Sequence, residues 1–354
     1  MTLTFDHVTL GQRVLFGANQ AAAHLSAEVQ RLQAKRVMVI ASKFEDTIAS
    51  NVIAGMDISL MYSDVAAHVP VEKAEKARQA AAEYNIDLMV CIGGGSTTGL
   101  AKAVALTSGI PIVAVPTTYA GSEATNVWGL TEASRKTTGV HDSVLPVTVI
   151  YDAALTVSLP VEMSVASGLN GMAHCIDSMW APRTNPINQA LAAEGIRALS
   201  QGLPLIKSDP TGLGGRELAQ YGAYLSAVAF ASAGSGIHHK ICHVLGGTWN
   251  LPHAQTHATI LPYVLAFNAS AAPQAARRIA AALGTSDPTE GLKRLRLQLD
   301  APKALKDYGF TQNAIPEAVD LILPVIPPSN PRKPTRTNLT QLLRDATTGV
   351  MEGL

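Results

Sequence analysis

Residues 86–96 read IDLMVCIGGGS, an apolar run that passes directly into three glycines and a serine. A continuous apolar run of this length is typical of a strand that is buried on both faces of a parallel sheet. The helical pattern of residues 97–107 follows at once. This order of strand, loop and helix favours a phosphate site, because backbone N–H groups at the start of the helix can approach a pyrophosphate. A glycine run is also a common tight turn, and this one is not the G-x-G-x-x-G fingerprint.

The same alternation of strand and helix extends to both sides of this stretch. Residues 1–16 alternate apolar and polar side chains, which suggests strands. Further apolar runs and helical patterns follow in turn. We therefore predict an α/β N-terminal domain, residues 1–158, built on a doubly wound parallel sheet. Its other predicted strands are 36–42, 57–63 and 110–115. Its other predicted helices are 19–33, one between the strands 36–42 and 57–63, and 71–84.

The pattern changes after about residue 155, where the helical period becomes dominant. The corner at Leu159-Pro160 marks the predicted boundary, so residues 159–354 are expected to form an all-helical C-terminal domain. The predicted helices are 161–180, 186–205, 214–233, 237–247, 255–268, 273–284, 287–299, 314–325 and 338–351.

Composition narrows the class of protein. The chain has 354 residues, 47% of them hydrophobic, so it can bury a large core. Only 15% are charged and the formal net charge is zero, which argues against nucleic-acid binding. The three cysteines are widely spaced in apolar surroundings and indicate reduced thiols. With neither a secretory signal nor a long apolar span in the sequence, we expect a cytoplasmic protein.

A second polar loop, PTTYAGSE at residues 116–123, also follows a predicted strand. Ligands of parallel sheets bind at the carboxyl ends of the strands. Two loops that contain glycine at that edge are therefore suited to one long nucleotide.

Five of the ten histidines lie between residues 238 and 257. His239 and His243 are four residues apart and share one face of a helix. A Gly-Gly turn and a proline allow His253 to fold back toward them. The run indicates a polar pocket that binds a metal, handles protons, or does both. A histidine-rich surface helix is the simpler alternative.

Several motifs together give the chain a family resemblance. It resembles the iron-containing alcohol dehydrogenase family, and more narrowly its maleylacetate reductase branch. The resemblance implies a dehydroquinate synthase-like fold, NADH or NADPH in a cleft between the domains, a homodimer, and the small anionic substrate maleylacetate. The motifs are GGGSTTGLAK (93–102), PTTYAGSEAT (116–125), VIYDAALTVSLP (149–160), GLNGMAHCID (168–177) and HHKICHVLGG with LPHAQTHATILP (238–262).

The resemblance also implies roles for individual residues around the nucleotide. Ser42 stands where the family often has an acid for the adenosine ribose, so both nucleotides remain acceptable. The predicted pyrophosphate residues are Gly93, Gly94, Gly95 and Ser96, and those beside the nicotinamide half are Thr117, Thr118, Tyr119 and Ser122.

Metal-dependent members of the family use one Asp and three His, and the matching residues here are Asn170, His174, His239 and His253. An amide in place of the carboxylate removes a negative charge and is a poorer ligand for a divalent cation. Three imidazoles can still bind Zn²⁺. Two alternatives therefore remain, a site without metal and a site with zinc or iron. The amide in place of the carboxylate agrees with the reductase branch.

The expected reaction is reduction of the C=C bond of maleylacetate to 3-oxoadipate. We assign the principal proton donor to His243, with Asn170, His174, His239 and His253 around the ketone. Lys240, Lys136 and Tyr119 are candidate partners for the substrate carboxylates. The alternatives are a metal-dependent alcohol or polyol dehydrogenase of the same fold, a related lyase, and a nucleotide-binding protein without turnover.

Overall fold

The computed structural model describes residues 4–132 and 135–350, without the side chains of Arg135 and Lys136. Contacts divide the chain into two units, Leu10–Leu159 and Pro160–Leu354, and the second includes Met1–Thr9. The described residues up to Thr9 thus group with the helical unit, whereas the sequence assigned them to the α/β domain. His7 explains this difference, because its ring contacts Asn185 and Ser232 of the helical unit at 3.3 and 3.1 Å.

The first unit is built on a six-stranded sheet in which every pair is parallel. Strand β4 is buried along its whole length, as its uninterrupted apolar run predicts. The strands, in their spatial order, are β1 (Arg13–Phe16), β8 (Thr148–Tyr151), β5 (Ile112–Pro116), β4 (Leu88–Gly93), β2 (Val37–Ile40) and β3 (Leu60–Tyr62).

Helices connect these strands on both faces of the sheet. They are α1 (Ala21–Arg31), α2 (Asp46–Val52), α3 (Val71–Glu83) and α4 (Gly95–Ser108). From β1 the chain proceeds across the sheet to β2 and β3, and it then returns in the opposite direction to β4 and β5. Because such crossovers are right-handed, α1 and α2 lie on one face of the sheet and α3 and α4 on the other. The doubly wound prediction is confirmed. The direction reverses between β2 and β4, and the carboxyl ends of these two neighbours form the switch point where such folds bind ligands.

Two parts of the first unit differ from the sequence prediction. The alternating pattern before Gln12 was wrong as a strand signal, because the described residues 4–12 form no strand. A hairpin of β6 (Val127–Glu132) and β7 (Arg135–Val140) was not predicted. The side chains of β6 are mostly half-buried and do not alternate between core and solvent. The alternation of apolar and polar residues that indicates a strand is therefore weak in this part of the sequence.

The second unit is helical, as predicted. Helix α5 lies at its centre and is buried on all sides from Ser164 to Ser178. Within the described residues, no helix is long and apolar enough to cross a membrane. The helices are α5 (Val161–Ser178), α6 (Pro186–Ser208), α7 (Leu213–Ala233), α8 (Ile237–Trp249), α9 (His253–Ala269), α10 (Pro273–Ala282), α11 (Pro288–Leu299), α12 (Ile315–Ile322) and α13 (Arg336–Thr348).

Candidate active site

The glycine loop sits between β4 and α4, as the sequence predicts. Gly93 has a φ of +151°, which side chains other than glycine rarely adopt. A Cβ on Gly93 would also lie 2.6 Å from Oγ1 of Thr97. Gly95 is exposed and begins α4, so the backbone N–H groups at the first turn of this 14-residue helix are open to an anion.

The second loop lies directly beside the first. The N–H of Thr117 donates to the carbonyl of Gly93 at 3.1 Å, which continues the pairing of β4 with β5. A Cβ on Gly94 would lie 3.0 Å from the methyl group of Thr118. The two loops therefore form one surface, on which Ser96, Thr118 and Ser122 are half-buried. Thr117 is buried beneath them.

Tyr119 is placed differently from the prediction. It is fully buried, and its hydroxyl lies 3.2 Å from Oγ1 of Thr156. The Tyr119 side chain is therefore part of the core of the first unit rather than a group that reaches the nucleotide or a substrate carboxylate.

Lys102 holds the second loop in place, a role that sequence reasoning missed. Its buried ammonium donates to the carbonyls of Ser122, Thr125 and Val127 at 2.6, 2.7 and 2.9 Å. Burial lowers the pKa of Lys102 to about 7, and the nearby carboxylate of Glu123 opposes that shift. The lysine of the motif GGGSTTGLAK is the signal that could have identified this role.

A carboxylate stands beside Ser42 after all. Ser42 follows β2 and caps the short helix Lys43–Glu45, and its hydroxyl donates to the carboxylate of Glu45. Because β2 and β4 are neighbouring parallel strands, Ser42 and Glu45 lie at the same carboxyl-terminal end of the sheet as the glycine loop. Glu45, three residues after Ser42, was not predicted as a site residue.

In the helical unit, α5 contributes Asn170 and His174, which are four residues apart and both buried. The ring of His174 stacks on that of His239 from α8, with centroids 4.8 Å apart. Three atoms of this group are buried and have no hydrogen-bond partner: Oδ1 of Asn170, Nδ1 of His174 and Nε2 of His239. The structure thus brings together three of the predicted residues.

Asp177, also on α5, organises the start of α8. Its carboxylate accepts from the N–H of Gly236 at 2.8 Å and from the N–H groups of His238 and His239 at 3.3 and 3.4 Å. It also lies 2.8 Å from Nδ1 of His239. Burial raises the pKa of Asp177 to about 6, and the backbone N–H groups oppose that rise. Asp177 belongs to the motif GLNGMAHCID but was not predicted as a site residue.

The bond to Asp177 decides which nitrogen of His239 carries the proton. An ionised carboxylate only accepts, so the proton is on Nδ1 and Nε2 presents a lone pair. Burial, together with the other imidazoles, lowers the pKa of His239 well below 6.5, which keeps the ring neutral. His239 is therefore an acceptor at Nε2 and has no hydrogen there to donate. Burial likewise lowers the pKa of His174 to about 3.

The remaining two predicted histidines lie at the surface. His243 and His253 are both exposed, whereas His239 is buried. The rings of His239 and His243 meet edge to face with centroids 5.9 Å apart, as their spacing on one helix predicts. Lys240 is half-buried. The side chain of Lys136 lies outside the described part of the chain.

The four metal positions implied by the resemblance do not fit a resident divalent cation. Their donors are an amide and three imidazoles, so the set carries no anion. Within residues 4–132 and 135–350, His174, His239 and His253 also form no trio of ligand atoms within 4.8 Å of one another. We therefore derive no step of the reaction through a metal at this position.

Replacing Asn170 by Asp should restore a metal site at these positions. The new carboxylate adds the missing negative charge beside His174 and His239, and a hard oxygen ligand favours a divalent cation. We expect Asn170→Asp to bind about one more zinc ion per chain than the native protein, measured by elemental analysis after dialysis.

Asn313→Asp is the matched control, because Asn313 is exposed and distant in sequence from the histidines. Its zinc content should equal that of the native protein. Equal zinc in Asn170→Asp and the native chain would show that the amide is not what prevents metal binding.

Comparison with known proteins identifies the family. Residues 11–153 match the model of iron-containing alcohol dehydrogenase, and residues 164–347 match the C-terminal model of the Fe-containing alcohol dehydrogenase family.

Individual relatives cover almost the whole chain. A maleylacetate reductase of Pseudomonas sp. (strain P51) is 42% identical over 98% of this chain and 99% of its own length. The crystal structure of an iron-containing alcohol dehydrogenase from Corynebacterium glutamicum is 62% identical, with a TM-score of 0.97 and 98% of each chain covered. That of a maleylacetate reductase from Agrobacterium tumefaciens is 37% identical, with a TM-score of 0.93 and 99% of each chain covered. The chain belongs to the iron-containing alcohol dehydrogenase family.

Proposed function

We propose that this protein is a maleylacetate reductase that uses NADH or NADPH to reduce the C=C bond of maleylacetate to 3-oxoadipate. The observation that carries the proposal is the buried Asn170 beside His174 and His239, at the position where a metal-dependent relative has its anionic ligand. The relatives named maleylacetate reductase, at full length, support the same reaction.

The reaction consists of a hydride transfer and a proton transfer. Maleylacetate is a 4-oxo-2-enedioate, in which the C=C bond is conjugated to a ketone. Hydride from C4 of the nicotinamide reaches the alkene carbon β to the ketone, and the electron pair of the C=C bond moves to give an enolate. A proton then adds to the carbon α to the ketone. NAD(P)⁺ and 3-oxoadipate are the products.

His243 supplies the proton. It is exposed, so its ring can exchange protons with water between turnovers. A neighbouring buried ring, that of His239, lies edge to face with it and restricts its position. A positioned imidazole contributes typically 10²–10⁴-fold to such a step.

Asn170 suits the enolate for two reasons. A carboxylate in its place would repel the charge that develops on the ketone oxygen, and an amide does not. The amide also offers N–H donors, which are the groups that stabilise an oxyanion. His239, with its lone pair on Nε2, cannot donate to the enolate and instead fixes the arrangement of α5 and α8 through Asp177.

The nucleotide is assigned to the first unit. The open N–H groups at the start of α4, with Ser96, would hold the pyrophosphate, and Thr118 with Ser122 would contact the nicotinamide half. Ser42 and Glu45 would lie at the adenosine ribose. We further propose that the protein acts in the cytoplasm, as its cysteines suggest, and we carry over from the family resemblance that it is a homodimer.

The direct test is turnover with the native protein. We expect loss of NADH or NADPH absorbance on addition of maleylacetate, with 3-oxoadipate formed in equal amount. Simple alcohols with NAD(P)⁺ should give no comparable rate. Absence of turnover with both nucleotides would exclude the reductase, and metal-dependent oxidation of alcohols would favour the dehydrogenase alternative.

His243→Asn should abolish most of the turnover without weakening the binding of the nucleotide. We expect kcat to fall about 100-fold or more, because the side chain can no longer donate a proton. NADH affinity, measured by fluorescence titration, should stay within about twofold of native, because asparagine is polar and smaller than the imidazole and none of the assigned nucleotide residues is changed.

The control is His141→Asn, a substitution of another exposed histidine, in the first unit. It should retain native kcat. If His243→Asn also kept native kcat, the proton would come from elsewhere.

Glu45→Gln should shift the nucleotide preference toward NADPH. The carboxylate of Glu45 at the ribose position repels a 2′-phosphate, and one such repulsion in water is worth about 1 kcal/mol at 4 Å. We therefore expect the native enzyme to prefer NADH and the variant to gain about fivefold in kcat/KM for NADPH. Glu72→Gln, an exposed change on α3, should leave the ratio unchanged. An unaltered ratio in Glu45→Gln would place Glu45 away from the ribose.

A further inference from the structure

A second group of donor side chains in the helical unit borders the first, because the ring centroid of His257 lies 4.9 Å from that of His239 and 4.4 Å from that of His253. It consists of His238 and Cys242 on α8 and His257 on α9. His238 and Cys242 are four residues apart and so share one helix face. The exposed fractions of the three side chains are 0%, 2% and 0%. Neither the proposed reaction nor the family resemblance gives this trio a role.

Two of the three distances within the trio lie close to those around a tetrahedral zinc ion. Nε2 of His238 is 3.0 Å from Nδ1 of His257 and 3.6 Å from Sγ of Cys242. All three ligand atoms lie within 4.8 Å of one another. Tetrahedral zinc, with Zn–N of about 2.05 Å and Zn–S of about 2.3 Å, separates two nitrogens by about 3.3 Å and a nitrogen from a sulfur by about 3.6 Å. The ligand atoms are therefore nearly in place.

The chemistry of the trio also suits zinc. A cysteine supplies the anionic donor that the positions around Asn170 lack, and two imidazoles complete a set of soft and borderline ligands. The outer nitrogens, Nδ1 of His238 and Nε2 of His257, have no hydrogen-bond partner. When an ion binds, each ring proton resides on the outer nitrogen, and both inner nitrogens then present lone pairs to the ion.

We propose that His238, Cys242 and His257 form a zinc site that ties α8 to α9. Zinc displaces the thiol proton, which passes to solvent, and replaces the hydrogen bond between the two imidazoles. A water completes the fourth position, as is usual where a protein supplies three ligands. The ion would fix the helices that carry His243 and His253.

Cobalt substitution tests this site without any activity assay. Co²⁺ takes the place of Zn²⁺ in tetrahedral sites, and a bound thiolate gives an intense sulfur-to-cobalt charge-transfer band in the near ultraviolet. The full-length protein, treated with chelator and dialysed, should bind about one Co²⁺ per chain with that band, and Zn²⁺ should abolish it. Zn²⁺ should also raise the melting temperature of the native chain.

Variants assign the ligands. Cys242→Ser and His257→Gln should lose the band and weaken Co²⁺ binding at least tenfold. Cys175→Ser is the matched control, because Cys175 is equally buried but lies on α5 outside the trio. It should keep the native band. Circular dichroism establishes that each variant is folded.

Two results would overturn the proposal. One is a native chain that binds Co²⁺ without a thiolate band, or binds none, and this result needs no variant. The other is a band that persists in folded Cys242→Ser. Neither measurement involves maleylacetate or a nucleotide, so failure of the zinc site and failure of the reductase proposal are distinguishable.

Discussion

The carboxylate of Asp177 is the interaction on which the helical site depends. It is fully buried on α5 and accepts from three backbone N–H groups where α8 begins, where the helix dipole favours a negative charge. A Cβ on Gly236 would lie 2.3 Å from its Oδ1, so only glycine leaves room for this contact. The same carboxylate orients His239. One anion therefore fixes both the position of α8 and the protonation of its central histidine.

This arrangement leaves the surroundings of Asn170 electrically neutral. Burial and mutual repulsion hold the pKa values of His174, His238 and His239 below 6.5, so the rings are uncharged. The carboxylate of Asp177 is already occupied by the N–H groups of Gly236, His238 and His239. An enolate that develops beside Asn170 would thus face an amide and uncharged rings. The aspartate of a metal-dependent relative would instead place a negative charge there, which a metal would have to neutralise.

The sequence predicts those features that periodicity or a motif encodes. Helices α6 to α8 follow the predicted ranges within a few residues, because their apolar faces recur at the helical period. The glycine loop and the shared face of His239 and His243 are likewise local in sequence. The roles of Lys102 and Asp177 are not predictable in this way, because their partners lie 20 to 62 residues away in sequence. Likewise, the burial of Tyr119 and the exposure of His243 follow only from tertiary packing.

The doublet His238-His239 gives α8 two functional faces. Adjacent residues on a helix point about 100° apart, so the doublet divides its rings between two directions. His243 lies one turn after His239 on the same face, is exposed and can exchange protons. Cys242 lies one turn after His238 on the other face, and His238 contacts both Cys242 and His257. Both faces belong to a single rigid helix, and Asp177 fixes the start of that helix. A change that strengthens the packing of the face with His238 and Cys242 therefore also restricts the motion of the face with His243. The geometry of proton donation and the stability of the α8–α9 contact are thus coupled through the backbone of α8 and through the ring contacts of His257 with His239 and His253.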